Sequence, residues 1–106
     1  MKISIITIAY NSGHSIADAI QSVLAQTYPN IEYVIVDGKS KDNTVEVVKS
    51  FGDRISKFVS EPDKGIYDAL NKGIKMATGD IIGFMHSDDL FASDDIIEKV
   101  AALFVK

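Results

Sequence analysis

Cysteine is absent from this sequence of 106 residues, and proline occurs only twice. Without cysteine the chain cannot form a disulfide framework, a thiolate metal site or a cysteine nucleophile. No apolar run approaches the ~20 residues that a bilayer-spanning helix needs, and the first residues enter a strand pattern with no signal-peptide cleavage region. We therefore expect a soluble, cytoplasmic protein.

Clusters of positive charge are also missing. The formal net charge is −4, with 11 Lys and Arg against 15 Asp and Glu, so we expect no nucleic acid among the partners. An acidic chain that binds a phosphorylated metabolite would want a divalent cation between the two. The length fits one domain, or part of one, and not two.

Several familiar catalytic motifs do not occur. No Gly-x-Gly-x-x-Gly follows the first predicted strand and there is no Walker loop, which excludes the usual dinucleotide and P-loop sites. The Gly-x-Ser-x-Gly elbow of hydrolases is missing too. The two histidines, His14 and His86, lack the i, i+4 spacing of a helical zinc pair. The remaining candidates are polar residues that follow the predicted strands.

Strand-like and helix-like apolar patterns alternate along the chain. Residues 2–9 are rich in isoleucine and mostly apolar or β-branched, which is typical of a central strand covered on both faces. The predicted elements, in order, are strand 2–9, helix 15–26, strand 31–36, a helix that follows the cap-type residues 40–43 and runs through Phe51, strand 55–59, a helix from Ile66 that ends at Gly79, strand 81–85 and a helix capped by Ser93. In the last helix, five apolar side chains are expected to face inward: Ile96, Ile97, Val100, Leu103 and Phe104.

This alternation predicts the α/β class, as a Rossmann-like open parallel sheet with helices on both faces and right-handed crossovers. In the strand order 3-2-1-4 the chain reverses direction between strands 1 and 4, and a crevice opens at their carboxyl ends. Three tips are expected to meet there, namely residues 9–11, 37–38 and 86–89.

The fourth strand leads into the clearest candidate site. Residues 81–85 leave no polar face, so we expect a buried strand, and Asp88 and Asp89 follow it. Adjacent carboxylates are favourable with a shared cation such as Mg²⁺ or Mn²⁺; alternatively, Asp89 caps a turn and Asp88 is only solvated. His86 either points into the crevice or is a histidine satisfied at the strand end.

The other tips offer groups that suit a nucleotide. Asp37 either accepts hydrogen bonds from a ribose hydroxyl or a base N–H, or it serves only an Asp-Gly turn. Tyr10 can stack on a base and Asn11 can hydrogen-bond one, but both equally suit a tight turn. Lys64 and Lys72 can approach phosphates, although most lysines are simply solvated.

Four segments of the chain match a known pattern. They are residues 4–11 (SIITIAYN), 36–44 (VDGKSKDNT), 61–73 (EPDKGIYDALNKG) and 77–80 (ATGD) leading to Ser87-Asp88-Asp89. In this order, and over nearly the whole chain, they resemble the N-terminal half of a family 2 glycosyltransferase of the GT-A fold. The closest similarity is to bacterial enzymes that build O-antigen, colanic acid and other surface polysaccharides.

The resemblance implies an inverting hexosyltransferase with a nucleotide-diphospho-sugar donor, usually a UDP-sugar, and Mg²⁺ or Mn²⁺ as cofactor. The implied acceptor is a glycan or a lipid-linked molecule, and the implied location is cytoplasmic and peripheral at the inner face of the cell membrane. The implied donor-binding residues are Ala9, Tyr10, Asn11, Asp37, Lys64, Gly65, Asp68, Lys72, Ser87 and Asp88, and the implied metal ligands are Asp88 and Asp89.

Two departures from the family pattern matter. The commonest pattern has an acid where this chain has His86, so the metal is held by fewer carboxylates or through water. The family's general base, an Asp or Glu that deprotonates the acceptor hydroxyl, and its acceptor-binding half lie beyond residue 106. The resemblance therefore implies one donor-binding domain over residues 1–106, without the acceptor half.

Two hypotheses from other classes stay open. A signalling receiver is also a small α/β domain with acids at strand ends, but it needs an acid pair after the first strand, where this chain has residues 9–11. Alternatively, a non-catalytic fragment would expose an apolar sheet edge or helix face and form a homodimer to cover it.

Overall fold

The computed structural model describes residues 1–88, 90–91 and 93–104. Strands and helices alternate throughout this part of the chain. In order they are β1 (Ile3–Ala9), α1 (Ile16–Leu24), β2 (Ile31–Asp37), α2 (Thr44–Ser50), β3 (Lys57–Ser60), α3 (Ile66–Met76), β4 (Ile81–His86) and α4 (Ile96–Phe104), with a 3-10 turn at Gly52–Arg54. Each predicted element is present, with its ends shifted by a few residues at most.

The four strands form one parallel sheet in the order β3-β2-β1-β4. One face packs against α1, α2 and α4, and the other against α3. Since both faces are covered, β1 and β2 are buried along nearly their whole length. The predicted class, strand order and placement of helices on both faces are confirmed.

The fourth strand departs from the prediction because it is an edge strand. Met85 is buried, but Ile82 is 37% exposed and Phe84 is 55% exposed. The helix α3 packs through Ala69 over β1 and β2, and so leaves the same face of β4 only partly covered. The predicted burial of β4 is therefore wrong for this face. An apolar edge of the kind expected does exist, and the homodimer that would cover it stays a prediction.

The last helix also differs from the prediction. Its buried residues are Ile97 and Ala101, whereas three of the five residues expected inside are exposed: Val100, Leu103 and Phe104. The expected cap is wrong as well, because the helix begins at Ile96 and the Ser93 hydroxyl donates to the Asp95 carboxylate (2.6 Å). Within the described residues, no helix combines the length and the apolar character needed to cross a membrane.

A polar cluster around Glu32 ties the strands together at their amino ends. Glu32 is 8% exposed, and its carboxylate accepts hydrogen bonds from the Ser4 hydroxyl (2.8 Å) and from both the backbone and the hydroxyl of Thr78 (2.8 and 2.9 Å). The Lys57 ammonium lies 3.3 Å away. Burial alone would raise the pKa of Glu32, but these partners lower it to about 2. The cluster joins β1, β2 and β3 to the segment before β4.

Candidate functional site

The carboxyl ends of the strands bring the predicted tips together. Ala9 pairs with Asp37 in the β1–β2 register, and Ile8 pairs with His86 in the β1–β4 register. The Gly38 N–H donates to the Ala9 carbonyl at 2.9 Å, which keeps the two chains adjacent past the end of the sheet. The predicted convergence of three distant segments at one mouth of the sheet is therefore confirmed.

The tip after β1 is held by the loop after β2. Asn11 lies in the left-handed backbone region (φ 49°), where asparagine is tolerated better than most residues. Its N–H donates to the Ser40 hydroxyl, and its side-chain oxygen accepts from the Lys41 N–H, both at 2.8 Å. With the backbone fixed in this way, Tyr10 is left 57% exposed at the crevice.

Asp37 is fully buried beneath this tip. Its Oδ2 accepts from the Ser40 N–H (2.8 Å) and the Ser60 hydroxyl (2.7 Å), and its Oδ1 accepts from the Ser40 hydroxyl. The carboxylate thus links the loop that follows β2 to the end of β3. Its predicted contact with a nucleotide stays a prediction, and a base or ribose would have to compete with Ser40 or Ser60 for these oxygens.

A cleft of about 340 Å³ opens between the tips. Four predicted residues lie in its wall: Ala9, Tyr10, Gly65 and Ser87. The others in the wall are Ile8, Ser12, Asp63, Ile66 and Ala69. The wall therefore combines an aromatic ring and apolar side chains with two hydroxyls and a carboxylate. Such a mixture suits a flat ring with polar edges.

Asp63 is the charged residue among the cleft residues that the sequence prediction missed. Its Oδ2 lies 2.7 Å from the point where a Cβ on Gly38 would stand, and the Tyr10 Cδ1 atom lies 3.3 Å from the same point. The other oxygen accepts from the Gly65 N–H (3.2 Å). Glycine at position 38 is therefore what lets a carboxylate and an aromatic ring approach each other here. The motif of residues 61–73 contained Asp63, but no chemical role had been read from it.

Three predicted residues hold the loop before α3 and do not line the cleft. The Lys72 ammonium donates to the Pro62 carbonyl (2.8 Å) and pairs with Glu61 (3.1 Å). Asp68 accepts from the Lys64 N–H (2.9 Å), and this bond, with the nearby ammonium of Lys72, holds the pKa of Asp68 below its usual value. These contacts fix the loop that carries Asp63 and Gly65 into the cleft.

The β4 tip carries the predicted metal ligands. Asp88 is exposed at the turn that follows His86 and Ser87, and Asp89 lies outside the described residues. His86 is exposed and borders a small apolar groove of about 210 Å³ with Phe84 and Leu70. It does not line the cleft between the tips.

In the part of the chain that the structure describes, the β4 tip offers a divalent cation few protein ligands. Within the described residues, no group of three or more His, Asp or Glu side chains is placed to hold a metal. A protein site with one or two carboxylates fits Mg²⁺, which keeps several waters and completes its shell with substrate phosphates. The residues present therefore suit a metal that arrives with a diphosphate, and not a closed cage.

The doubly wound sheet and the polar cleft at its carboxyl edge define an α/β domain of the ligand-binding kind. A family model described as Glycosyl transferase family 2 matches residues 4–106, and the chain belongs to this family. Membership favours the transferase hypothesis over the receiver hypothesis. A relative with an assigned donor is the UDP-Glc:alpha-D-GlcNAc-diphosphoundecaprenol beta-1,3-glucosyltransferase WfgD of Escherichia coli, 38% identical over 102 residues, covering 95% of this chain and 40% of WfgD.

Solved structures agree with the family. Staphylococcus aureus TarS in complex with UDP-GlcNAc superposes with a TM-score of 0.90 at 28% identity, over 98% of this chain and 31% of TarS. The mannosyltransferase PcManGT from Pyrobaculum calidifontis, in complex with GDP-Man and Mn²⁺, gives a TM-score of 0.90 at 25% identity, over 99% of this chain and 32% of its own. The predicted GT-A fold is confirmed. The chain spans less than half the length of the curated relatives that it matches.

Proposed function

We propose that residues 1–106 form the donor-binding domain of a glycosyltransferase whose donor is a nucleotide-diphospho-sugar, with a UDP-sugar favoured. The cleft that joins Tyr10, Asp63 and Ser87 carries this proposal. A planar base stacks on the Tyr10 ring, and the Asp63 carboxylate accepts a base N–H at the ring edge. UDP-linked sugars are the donor named for WfgD and the ligand bound to TarS.

In this proposal, each residue of the tips has a separate role in holding the nucleotide. Ala9 has only a methyl group, so it leaves room for the ring, while Asn11 holds the loop from which Tyr10 projects. Asp37 fixes the floor below, and we retain it as a candidate partner for the base or ribose. Gly65 has a left-handed backbone (φ 115°) and no side chain, so it lets the diphosphate pass close to the start of α3.

In this proposal, the charged residues around the loop before α3 mainly hold that loop in place. Lys72 and Asp68 hold the loop in place through the bonds already described. Lys64 is exposed, so its ammonium is free to swing toward the phosphates. The donor-binding roles that the resemblance implied are thus kept for Lys64 as a direct contact, and for Lys72 and Asp68 as support.

We propose Mg²⁺ or Mn²⁺ as the cofactor, held by Asp88 and Asp89 together with donor phosphates and water. A divalent cation supplies charge neutralisation for the leaving nucleoside diphosphate. Asp88 orients the metal-bound diphosphate, and Ser87 and Tyr10 keep the rest of the donor in register with it. Mn²⁺ occurs with GDP-Man in the PcManGT complex, which supports this assignment.

Family membership and the likeness to WfgD support a proposal for the reaction and its acceptor. We propose inverting transfer of a hexose to a glycan or lipid-linked acceptor in surface polysaccharide biosynthesis, by a cytoplasmic protein peripheral at the inner membrane face. Inversion requires a base that deprotonates the acceptor hydroxyl on the side opposite the leaving group. In this proposal, the base and the acceptor site belong to sequence that these 106 residues do not contain.

Calorimetric titration of this chain with UDP in the presence of Mn²⁺ tests the proposal. Binding is expected, and Tyr10→Ala is expected to weaken it about tenfold because base–aromatic stacking contributes ~1–3 kcal/mol. Tyr67→Ala is the matched control, since Tyr67 is 80% exposed and outside the wall of the cleft. No heat with millimolar UDP, or equal loss in the two variants, would contradict the proposal.

The variant Gly38→Ala tests the geometry of the same cleft. The new methyl would stand 2.7 Å from the Asp63 carboxylate and 3.3 Å from the Tyr10 ring, so both side chains must move apart. Because both are side-chain atoms beside open space, we expect a loss of stability below ~1 kcal/mol. UDP affinity is expected to fall about tenfold, the equivalent of one lost polar contact. Parallel thermal melts and titrations separate these effects, and unchanged affinity would remove Asp63 from the site.

A further inference from the structure

Ser12 is a buried serine that joins the β1 and β4 tips to the start of α2. It is 6% exposed and lies in the cleft wall. Its N–H donates to the Thr44 hydroxyl at the start of α2 (2.7 Å). Its own hydroxyl donates to the Tyr10 carbonyl on the β1 tip (3.2 Å) and lies 2.7 Å from the Ser87 hydroxyl on the β4 tip. Ser12 is not among the residues predicted to bind the nucleotide-sugar.

The direction of these hydrogen bonds follows from counting hydrogens. A carbonyl can only accept, so the Ser12 hydroxyl uses its single hydrogen on the Tyr10 carbonyl. Both hydrogen bonds of the Ser12 hydroxyl can form together only when Ser87 donates its own hydrogen to Ser12. The Ser87 hydroxyl therefore presents only lone pairs to the cleft. The Ser15 hydroxyl donates to the Ser87 carbonyl (3.0 Å) and fixes the backbone of the same residue.

We propose that Ser12 is a positioning residue that makes the Ser87 hydroxyl an acceptor-only group for an O–H of the bound nucleotide-sugar. The inference rests on the proposed function and deepens it. An oxygen without a free hydrogen attracts a hydroxyl and gains nothing from a phosphate oxygen, which also only accepts. Ser87 thus recognises a hydroxyl of the ribose or of the transferred sugar, while the diphosphate is left to the metal and to Lys64.

Titrations of the 106-residue chain with Mn²⁺ and four probes test this inference. UDP against 2′-deoxy-UDP and 3′-deoxy-UDP reports on a ribose hydroxyl, and UDP-glucose against UDP reports on a sugar hydroxyl. In the wild type, the Kd values of the two probes in one of these comparisons are expected to differ five- to tenfold, about the effect of one hydrogen bond. This quotient of Kd values is the ratio that the variants are expected to change. In Ser12→Ala that ratio is expected to fall below about twofold, because Ser87 regains a free hydrogen and loses its fixed direction.

Two further variants separate positioning from a general loss of structure. Ser12→Thr keeps the hydroxyl and is expected to restore the wild-type ratio, whereas Ser87→Ala is expected to lose it. Ser50→Ala is the matched control, because the Ser50 hydroxyl likewise donates to a backbone carbonyl, that of Val47, but on the exposed end of α2. If Ser12→Ala does not fold, Ser87→Ala still reports on the same ratio.

Several results would overturn the inference. They are an unchanged ratio in Ser12→Ala, a uniform loss of affinity for all four probes, and a wild type that binds UDP without any discrimination among them. A wild type that binds none of the probes has a different meaning, since it overturns the proposed function and removes this inference with it.

Discussion

Replacing Glu32 with glutamine is expected to lower the free energy of unfolding at pH 7 by ~2 kcal/mol. A pKa reduced from 4.5 to about 2 in the folded state corresponds to ~3 kcal/mol at ~1.4 kcal/mol per unit. Solvent screening reduces this value, because the side chains of Lys57 and Lys2 near the carboxylate are 37% and 38% exposed. Glutamine keeps the size of the side chain but removes the charge that Thr78 and Lys57 satisfy.

The same residue is expected to make the wild type sensitive to acid. Above pH ~4.5, Glu32 is ionised in both folded and unfolded chains, and its full contribution to stability is present. As the pH falls from about 4.5 toward 2, the unfolded chain takes up a proton first, so this contribution is lost. Urea unfolding at a series of pH values measures the effect, which should be largely absent in Glu32→Gln.

Glu46→Gln provides the matched control for both measurements, because Glu46 is exposed on α2. We expect the free energy of unfolding of Glu46→Gln to differ from that of the wild type by less than ~0.5 kcal/mol. Equal behaviour of the two variants, or a Glu32→Gln protein that keeps the wild-type loss of stability between pH 4.5 and 2, would show that the cluster does not stabilise the charged carboxylate.

Adding a single methyl group at Gly79 is expected to destabilise the fold by ~2–3 kcal/mol. A Cβ at this position would lie 2.5 Å from the Ser4 hydroxyl oxygen and 2.6 Å from the Ser4 backbone nitrogen. The second atom belongs to the central strand β1 and cannot turn away as the end of a side chain can. The same methyl would also disturb the Gly79 N–H bond to Ser4 (2.8 Å), which connects to Glu32.

Thermal melting of Gly79→Ala and Gly52→Ala compares the same chemical change in two settings. A Cβ at Gly52 would meet nothing within 4 Å, and only its left-handed backbone (φ 61°) disfavours alanine, at a cost of ~1–2 kcal/mol. Gly79→Ala is expected to melt ~10 °C or more below the wild type. A melting temperature at or above that of Gly52→Ala would mean that β1 and the segment before β4 are less closely packed than described.

The sheet was predictable because its central strands carry an unambiguous signal. The isoleucine-rich β1 and the apolar β2 can be stable only when covered on both faces, which requires crossover helices and a parallel sheet. Burial of β4 was overestimated because an apolar run does not say how far neighbouring helices extend. Here, α3 packs over β1 and β2 through Ala69, so Phe84 is left exposed.

The site was predictable in location but less so in detail. The strand order alone brings Tyr10, Asp37 and Ser87 to one edge of the sheet. Which of them faces the cleft depends on hydrogen bonds between loops, and spacing along the sequence does not encode these. Asp63 was missed for the same reason, since it reaches Tyr10 only because position 38 has no side chain.

The Ser12–Ser87 contact was equally hidden from the sequence. Two serines separated by most of the chain give no pattern that would link them, and each alone suits a turn. Only the β1–β4 pairing places the two tips side by side. Hydroxyl direction, which depends on what each partner can donate, appears only after that pairing is known.

The pairing of β1 with β4 has a consequence for how the domain opens. These strands are far apart in the sequence, and in the sheet of the described residues β4 is an edge strand whose partner is β1. Because β4 lies at the edge and its residues Ile82 and Phe84 are exposed, it is expected to detach more readily than the central β1–β2 pair. Amide hydrogen exchange would then be fast in residues 81–86 of the free protein. Ser87 and Asp88 directly follow β4, so they would move away from the cleft when this strand detaches. A bound nucleotide should therefore slow the exchange of residues 81–86, because it binds only while β4 is paired with β1.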